Sequence, residues 1–229
     1  LGNGNAVNSF NRFNVGNGNA VNSFNRFNVG NGQTANLHVP DGAAALINLV
    51  LDQKTTIDGM LNAIKEGRIG GKVYFANPHG VIVGPTGKVN VGSLHVSTPT
   101  QRFVDDFFDA PGGAETSAAT LVEGRAPRNA AAEIRIDGEV NATDQIGLSA
   151  GTITVAGKVL SGAKFVGSAP EFSDVVNVHG LEAGGTVTVQ ADQLTLGASV
   201  QAPAVVAERT LTVETDALAL TTTLHAPTV

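Results

Sequence analysis

Gly71–Thr98 reads GKVYFANPHGVIVGPTGKVNVGSLHVST, and its punctuation decides the fold. Four short apolar runs, Val73–Phe75, Val81–Val83, Val89–Val91 and Leu94–Val96, alternate with turn-formers. The turns are Asn77-Pro78-His79-Gly80, Gly84-Pro85-Thr86-Gly87 and Gly92-Ser93. Short β-branched runs bounded by Gly, Pro and Asn read as strands. Pro78 fixes its own φ and pushes Asn77 out of the helical region. Gly80 is free to take a positive φ. The NPHG stretch is therefore a rigid corner between two buried strands.

Downstream the same grammar becomes periodic. Thr186–Val189 and Leu194–Leu196, then Val200 and Ala202-Pro203, recur twenty-four residues on as Thr210–Val213, Leu218–Leu220, Leu224 and Ala226-Pro227. Upstream, Ile146/Leu148, Ile153/Val155 and Val159 keep the same internal offsets, and Ile134/Ile136 with Val140 fit the second half of a preceding turn. A repeat of about 20–25 residues built from short alternating strands is the mark of a β-solenoid. Each coil cannot bury its apolar side alone, so stacked coils about 4.8 Å apart share one core. Three strands per coil predict an all-β, right-handed parallel β-helix. Phe165–Val178 breaks the period and reads as a loop.

Composition agrees. Charged residues make up 15% of the 229, below the usual ~25% of globular chains, while Gly reaches 28 and Trp is absent. Such a chain suits β-structure with many tight turns. A net charge of −6 without a basic tract argues against nucleic acid as a partner. No apolar run approaches the ~20 residues of a membrane-spanning helix, so membrane insertion is not expected. Cys is absent, which fits a large cooperative core and equally a chain threaded unfolded through a pore. The chain starts at Leu1, shows no signal peptide and ends just after a complete period, so it reads as the N-terminal portion of a longer protein.

Ala76–Val83 together with Asn90–Gly92 resembles the signature of the haemagglutination-activity domain, in which Asn-Pro-Asn-Gly precedes Ile or Val; His79 stands at the third position here. That domain is the N-terminal secretion domain of large filamentous adhesins exported by two-partner secretion. The resemblance runs from about Asn22 to the C-terminus and is strongest at Asn22–Leu37, Thr56–Gly59 and Val73–Val96. The FANPHG variant is most similar to biofilm-type and leukotoxin-type adhesins. The resemblance implies a secreted or cell-surface protein of a Gram-negative bacterium, reached after periplasmic transit. It implies an outer-membrane two-partner-secretion transporter as partner, with the adhesin's own receptor unidentified. The residues it assigns to transporter recognition and secretion are Asn77, Pro78, His79, Gly80, Asn22, Phe24, Phe27 and Asn36. It implies no catalytic residue, cofactor or metal.

The N-terminus carries an oddity. Residues 2–15, GNGNAVNSFNRFNV, are repeated without change as residues 16–29. Such a copy is a recent duplication or an artefact of assembly or design, not a diverged structural repeat. In extended chain Phe24, Arg26 and Asn28 fall on one side, and Asn25, Phe27 and Val29 on the other. The run Phe24–Val29, followed by Ala35-Asn36-Leu37, resembles the strands that cap the solenoid in the family. Residues 1–21 are then an extra edge strand or a loose segment, and residues 22–229 one β-helix domain. Ala43–Leu51 is apolar and fits helix or strand by periodicity; the resemblance favours strand for Leu46–Leu51.

One or two short outer helices are expected. Thr56 is a plausible N-cap, Ile57, Met60, Leu61 and Ile64 keep helical spacing, and Gly67 reads as a stop. Thr100–Asp109 places Phe103, Phe107 and Phe108 at helical spacing and opens an excursion that ends near Arg128. Asp105, Asp106 and Asp109 cluster there, and read as a solvated face rather than a Ca²⁺ site.

Gly84–Lys88 lacks the spacing of a phosphate loop, and Gly2-x-Gly4 and Gly30-x-Gly32 lack a third glycine. His38, His79, His95, His179 and His225 stand alone, without metal-ligand spacing. Asp192 and Asp216 fit a stacked coil corner better than the paired carboxylates of a glycosidase. Thr186/Thr188 and Thr210/Thr212 are a short version of the Thr arrays of ice-binding solenoids. A carbohydrate-active β-helix and a stand-alone carbohydrate- or ice-binding solenoid are thus the rival readings.

Overall fold

Every strand exposes a row of N–H and C=O groups on each edge, and in this chain the partners come from one coil away. The computed structural model describes residues 8–15, 18–109, 111–161, 186–196, 205–206, 210–220 and 224–225, with side chains over 18–109 and 111–159. β1 (Asn8–Val15) runs antiparallel to β2 (Asn19–Arg26). The first coil is β2, β3 (Asn28–Val29) and β4 (Thr34–His38). The second is β5 (Ala45–Val50), β6 (Thr55–Ile57) and β7 (Met60–Lys65), to which β8 (Arg68–Ile69) adds a short antiparallel flap. The third is β9 (Lys72–Ala76), β10 (Val81–Val83) and β11 (Lys88–Val91). The fourth is β12 (Ser93–Ser97), then α1 (Gln101–Asp109) and α2 (Gly113–Val122), then β13 (Glu133–Ile136) and β14 (Glu139–Ala142). Further coils are β15 (Gln145–Val155) with β16 (Lys158–Ser161), β17 (Thr186–Leu196) with β18 (Val205–Val206), and β19 (Thr210–Leu220) with β20 (Leu224–His225).

Coil pairs with coil in parallel on three faces. One sheet of 12 strands supplies two faces and one of 8 strands the third. β15 joins the two faces of the larger sheet. Its first part pairs with β12 and its second with β13. Registers stack apolar residues into columns. Leu46, Val73, Leu94 and Ile146 form one, Ile57, Val83, Ile136 and Val155 a second, and Leu61, Val89, Val140 and Val159 a third. All are buried. Each such side chain contributes about 1.5–3 kcal/mol by leaving water. Val187 pairs with Leu211 on the next coil, as the repeat requires. The fold is an all-β parallel β-helix.

The helices form an outer layer. Phe103 and Phe107 of α1 and Ala118 and Leu121 of α2 pack on Val21, Ala45, Ile47, Leu49 and Tyr74, which point away from the solenoid core. This explains why every residue of β5 is buried: Leu46 and Val50 face inward and Ile47 and Leu49 face the helices. A bridge between Pro99 and Arg128 closes the base of the excursion. α1 lies where the Phe spacing puts it. α2, built from GAETSAATLV, has no clear apolar stripe and escapes sequence reading.

Three expectations are corrected. No helix covers residues 56–66; the segment is β6, a turn at Gly59, and β7. Coil stacking overrides the periodicity there. Asp58 and Gly59 both donate to Val29 O, and a Cβ on Gly59 would lie 2.3 Å from Gln33 O and Gly30 O. Gly67, read as a helix stop, instead shares a positive φ with Glu66 in the two-residue turn between β7 and β8. Second, the residue that stacks between Val159 and Leu224 is Val205 of β18, five places beyond the Val200 that the repeat offsets pick out; Val200 itself lies outside the described residues. Third, Phe24 and Phe27 do not lie on opposite sides. The chain turns between β2 and β3, and both rings enter the core, 4% and 2% exposed. The expected loop at 165–178 lies outside the described residues.

β1 lies on the outer edge of β2, while β2 keeps β5 on its other edge. Deleting residues 2–15 should therefore shift the unfolding free energy of dilute chains by less than about 1 kcal/mol. A cooperative loss above about 2 kcal/mol in urea would make β1 part of the core.

Candidate functional site

The NPHG corner is tied to the coil on either side of it. Asn77 is 0% exposed and every polar atom of its side chain is used. Its Nδ2 donates to Gln53 O at 2.9 Å and Thr55 Oγ1 at 3.0 Å on the preceding coil. Its Oδ1 accepts from His79 N at 2.8 Å, an Asx turn that closes the corner from inside. Gly80 holds φ +108° and a Cβ there would lie 2.7 Å from Glu133 O on the following coil. Gly80 O accepts from Thr55 N at 3.0 Å, and Pro78 O from Asn129 Nδ2 at 2.8 Å. Pro78 is buried and His79 is exposed. The His79 ring reaches back, with Nε2 2.9 Å from Leu51 O, so Nε2 carries the proton. The corner is thus a clamp across three coils whose outward side chain is His79.

The other residues singled out by sequence lie at the N-terminal end of the stack. Phe24 and Phe27 meet edge to face with centroids 5.2 Å apart, and Phe27 meets Phe75 in the same way at 5.3 Å. The three rings close the end of the core. Asn22, also buried, donates to Asn48 Oδ1 at 2.9 Å, and Asn48 donates to Tyr74 O at 3.2 Å. Asn36 is exposed on β4, the terminal strand of the smaller sheet. Of the eight, only His79 and Asn36 present a side chain to solvent.

Sequence reading missed what Asn36 belongs to. Asn62 Nδ2 donates to Asn36 Oδ1 at 3.0 Å, Asn90 to Asn62 at 3.0 Å and Asn141 to Asn90 at 3.1 Å. These four residues share one register position on successive coils. An amide stacked on its own kind one coil away donates once and accepts once, so neighbouring amides pair along the buried stretch from Asn62 to Asn141. Asn141 Oδ1 ends it without a partner, because Leu160 holds that register on the next coil. The recurrence of Asn before an apolar residue in each coil was the available signal.

One half-buried titratable group stands outside both features. His95 stacks on Tyr74 with centroids 4.5 Å apart and planes 10° apart. The ring fits because its partner on the following coil is glycine: a Cβ on Gly147 would lie 2.4 Å from Nδ1. A cavity of about 240 Å³ opens beside it, lined by Ser97, Leu121, Val122 and Gly124 among others. Burial, then Lys72, push the imidazole down to about 4, against a smaller opposing pull from Asp144. Unfolded, the ring titrates near 6.5. Between those values the unfolded chain holds more protons, so stability is whole above pH 6.5 and falls as pH drops toward 4. The loss should reach up to about 3 kcal/mol. Urea midpoints at pH 7 and 4.5 should differ accordingly, and His95→Gln should flatten the difference; an unchanged slope would refute the assignment.

Among the described residues no group of three or more His, Asp or Glu could hold a metal ion. Asp105 accepts from Gln101 on its own helix. Asp192 and Asp216 lie on the adjacent strands β17 and β19, and Thr186 and Thr188 pair with Thr210 and Thr212; their side chains lie outside the described residues. No described helix is long and apolar enough to cross a membrane.

A family model described as the TPS secretion domain matches residues 2–226. No curated protein matches the sequence.

Proposed function

The chain belongs to the family of TPS secretion domains, which places it in a secreted two-partner-secretion exoprotein of Gram-negative bacteria, and from that premise we propose how it works. It is the secretion domain of a filamentous adhesin of the biofilm or leukotoxin type. An outer-membrane partner transporter recognises it, and its β-helix nucleates outside the cell. What carries the reading is the match across nearly the whole chain. The clamp and the Phe-sealed end supply the physics. A coil that folds after emerging finds a ready edge, core and Asn amide on the coil before it. Burying it disfavours backsliding, so export needs no nucleotide.

The division of labour at the corner follows from exposure. Asn77, Pro78 and Gly80 are buried and act through folding, whereas His79 and Asn36 are the residues a transporter can touch. The test is export with the cognate transporter, measured beside urea unfolding. His79→Ala loses one exposed hydrogen bond, worth about 1 kcal/mol, and export should fall well beyond what that explains. Export of His79→Ala and Asn36→Ala that merely tracks stability would assign the motif to folding alone. Undiminished export of Asn77→Ala and Gly80→Val would remove the corner from the secretion signal.

A further inference from the structure

We propose that β1 is an intramolecular stand-in for a second copy of this chain. It covers in cis an edge on which the β2 of another molecule would otherwise pair.

The argument rests on which sequence sits on that edge. β1 is the first copy of residues 22–29 and β2 covers residues 19–26, so over residues 22–26 β2 is hydrogen-bonded to its own sequence. They run antiparallel, with Phe10 opposite Phe24, Asn11 opposite Ser23 and Asn8 opposite Arg26. Phe10 and Phe24 are the same residue of the two copies. An antiparallel pairing of identical strands is two-fold symmetric, and here the axis passes through that pair. Transferred between molecules, Phe24 of one chain lies opposite Phe24 of the other, and Ser23 opposite Asn25. Over residues 22–26 the β1–β2 pairing then has its equivalent between molecules, and the contact is isologous and closes on itself; the copies of Phe13, Asn14 and Val15 are Phe27, Asn28 and Val29, which turn into β3 and take no part. A two-fold axis normal to the sheet leaves the core face of both strands on the same side. The larger sheet would continue from one molecule into the other, end to end.

The reason to cover the edge is physical. β2 is long for an edge strand: it runs 8 residues, without Pro, Lys or bulge, and carries a single charge at Arg26. Such an edge is a template for pairing with another chain. The first copy supplies the one strand certain to fit it, tethered by a few residues and so at high effective concentration.

The variant lacking residues 2–15 tests this. It should fold and run at twice the monomer mass by light scattering at about 100 µM, dissociating on dilution, while the full chain stays monomeric. The chain has no Cys, so introduced pairs report register. In the full chain, Asn11→Cys with Ser23→Cys should close an intrachain disulfide, which checks the starting register. In the shortened chain, Ser23→Cys mixed with Asn25→Cys should form an interchain disulfide that Ser23→Cys alone does not. As a second route, Phe10→Pro with Arg12→Pro should strip β1 from the full-length chain and give the same dimer. A shortened chain that stays monomeric overturns the proposal, as does a dimer without the mixed crosslink. A shortened chain that cannot fold makes β1 part of the fold and also overturns it.

Discussion

Replacing Gly80 with valine is expected to cost about 4 kcal/mol, the largest effect of any single change at the corner. Two terms add. A β-branched residue at φ +108° pays about 1–3 kcal/mol in backbone strain. Its Cβ would also meet Glu133 O at 2.7 Å, so the following coil must move, at about 1–3 kcal/mol more. That shift propagates, because Gly80 O holds Thr55 N on the coil before and Lys54 pairs with Glu133 across the corner. Asn77→Ala at the same corner should cost about 2–3 kcal/mol, since Gln53 O, Thr55 Oγ1 and His79 N all lose a partner. Urea unfolding of both variants is the measurement. A change below about 1 kcal/mol for Gly80→Val would mean that the corner is not the clamp described.

The second large effect is Asn62→Ala, expected at about 3 kcal/mol. Asn62 lies in the middle of the ladder, 0% exposed, giving one hydrogen bond to Asn36 and taking one from Asn90. Its loss strands the Asn90 amide, which is 1% exposed, and opens a small void. Asn36→Ala removes only the exposed end of the same column and should cost under about 1 kcal/mol. The contrast separates a cooperative ladder from four independent amides. Equal losses at the two positions would sink the ladder account.

Much of this was legible in the residues. The NPHG motif named its own geometry, because proline, glycine and asparagine act through local backbone preferences that need no tertiary partner. The strand runs around it, and the repeat linking Val187 to Leu211, carry the period of the coil directly. The Phe spacing of α1 did the same for one helix.

What only the tertiary structure decided were the features that depend on the coil next door. Residues 56–66 have a helix's spacing, yet Val29 O and the backbone of Gly30 and Gln33 hold them as two strands. Phe27 turns inward because the corner follows β2, a boundary that strand alternation cannot see. The Asn ladder is spread over Asn36, Asn62, Asn90 and Asn141, and becomes one object only when the register is known. The same holds for the burial of Asn77, which depends on the coil before it supplying Gln53 O and Thr55 Oγ1. Local sequence fixes φ, ψ and periodicity within a coil. Coil lengths vary with every turn and with the helical excursion, so which residue stacks on which is set by burying all three faces at once.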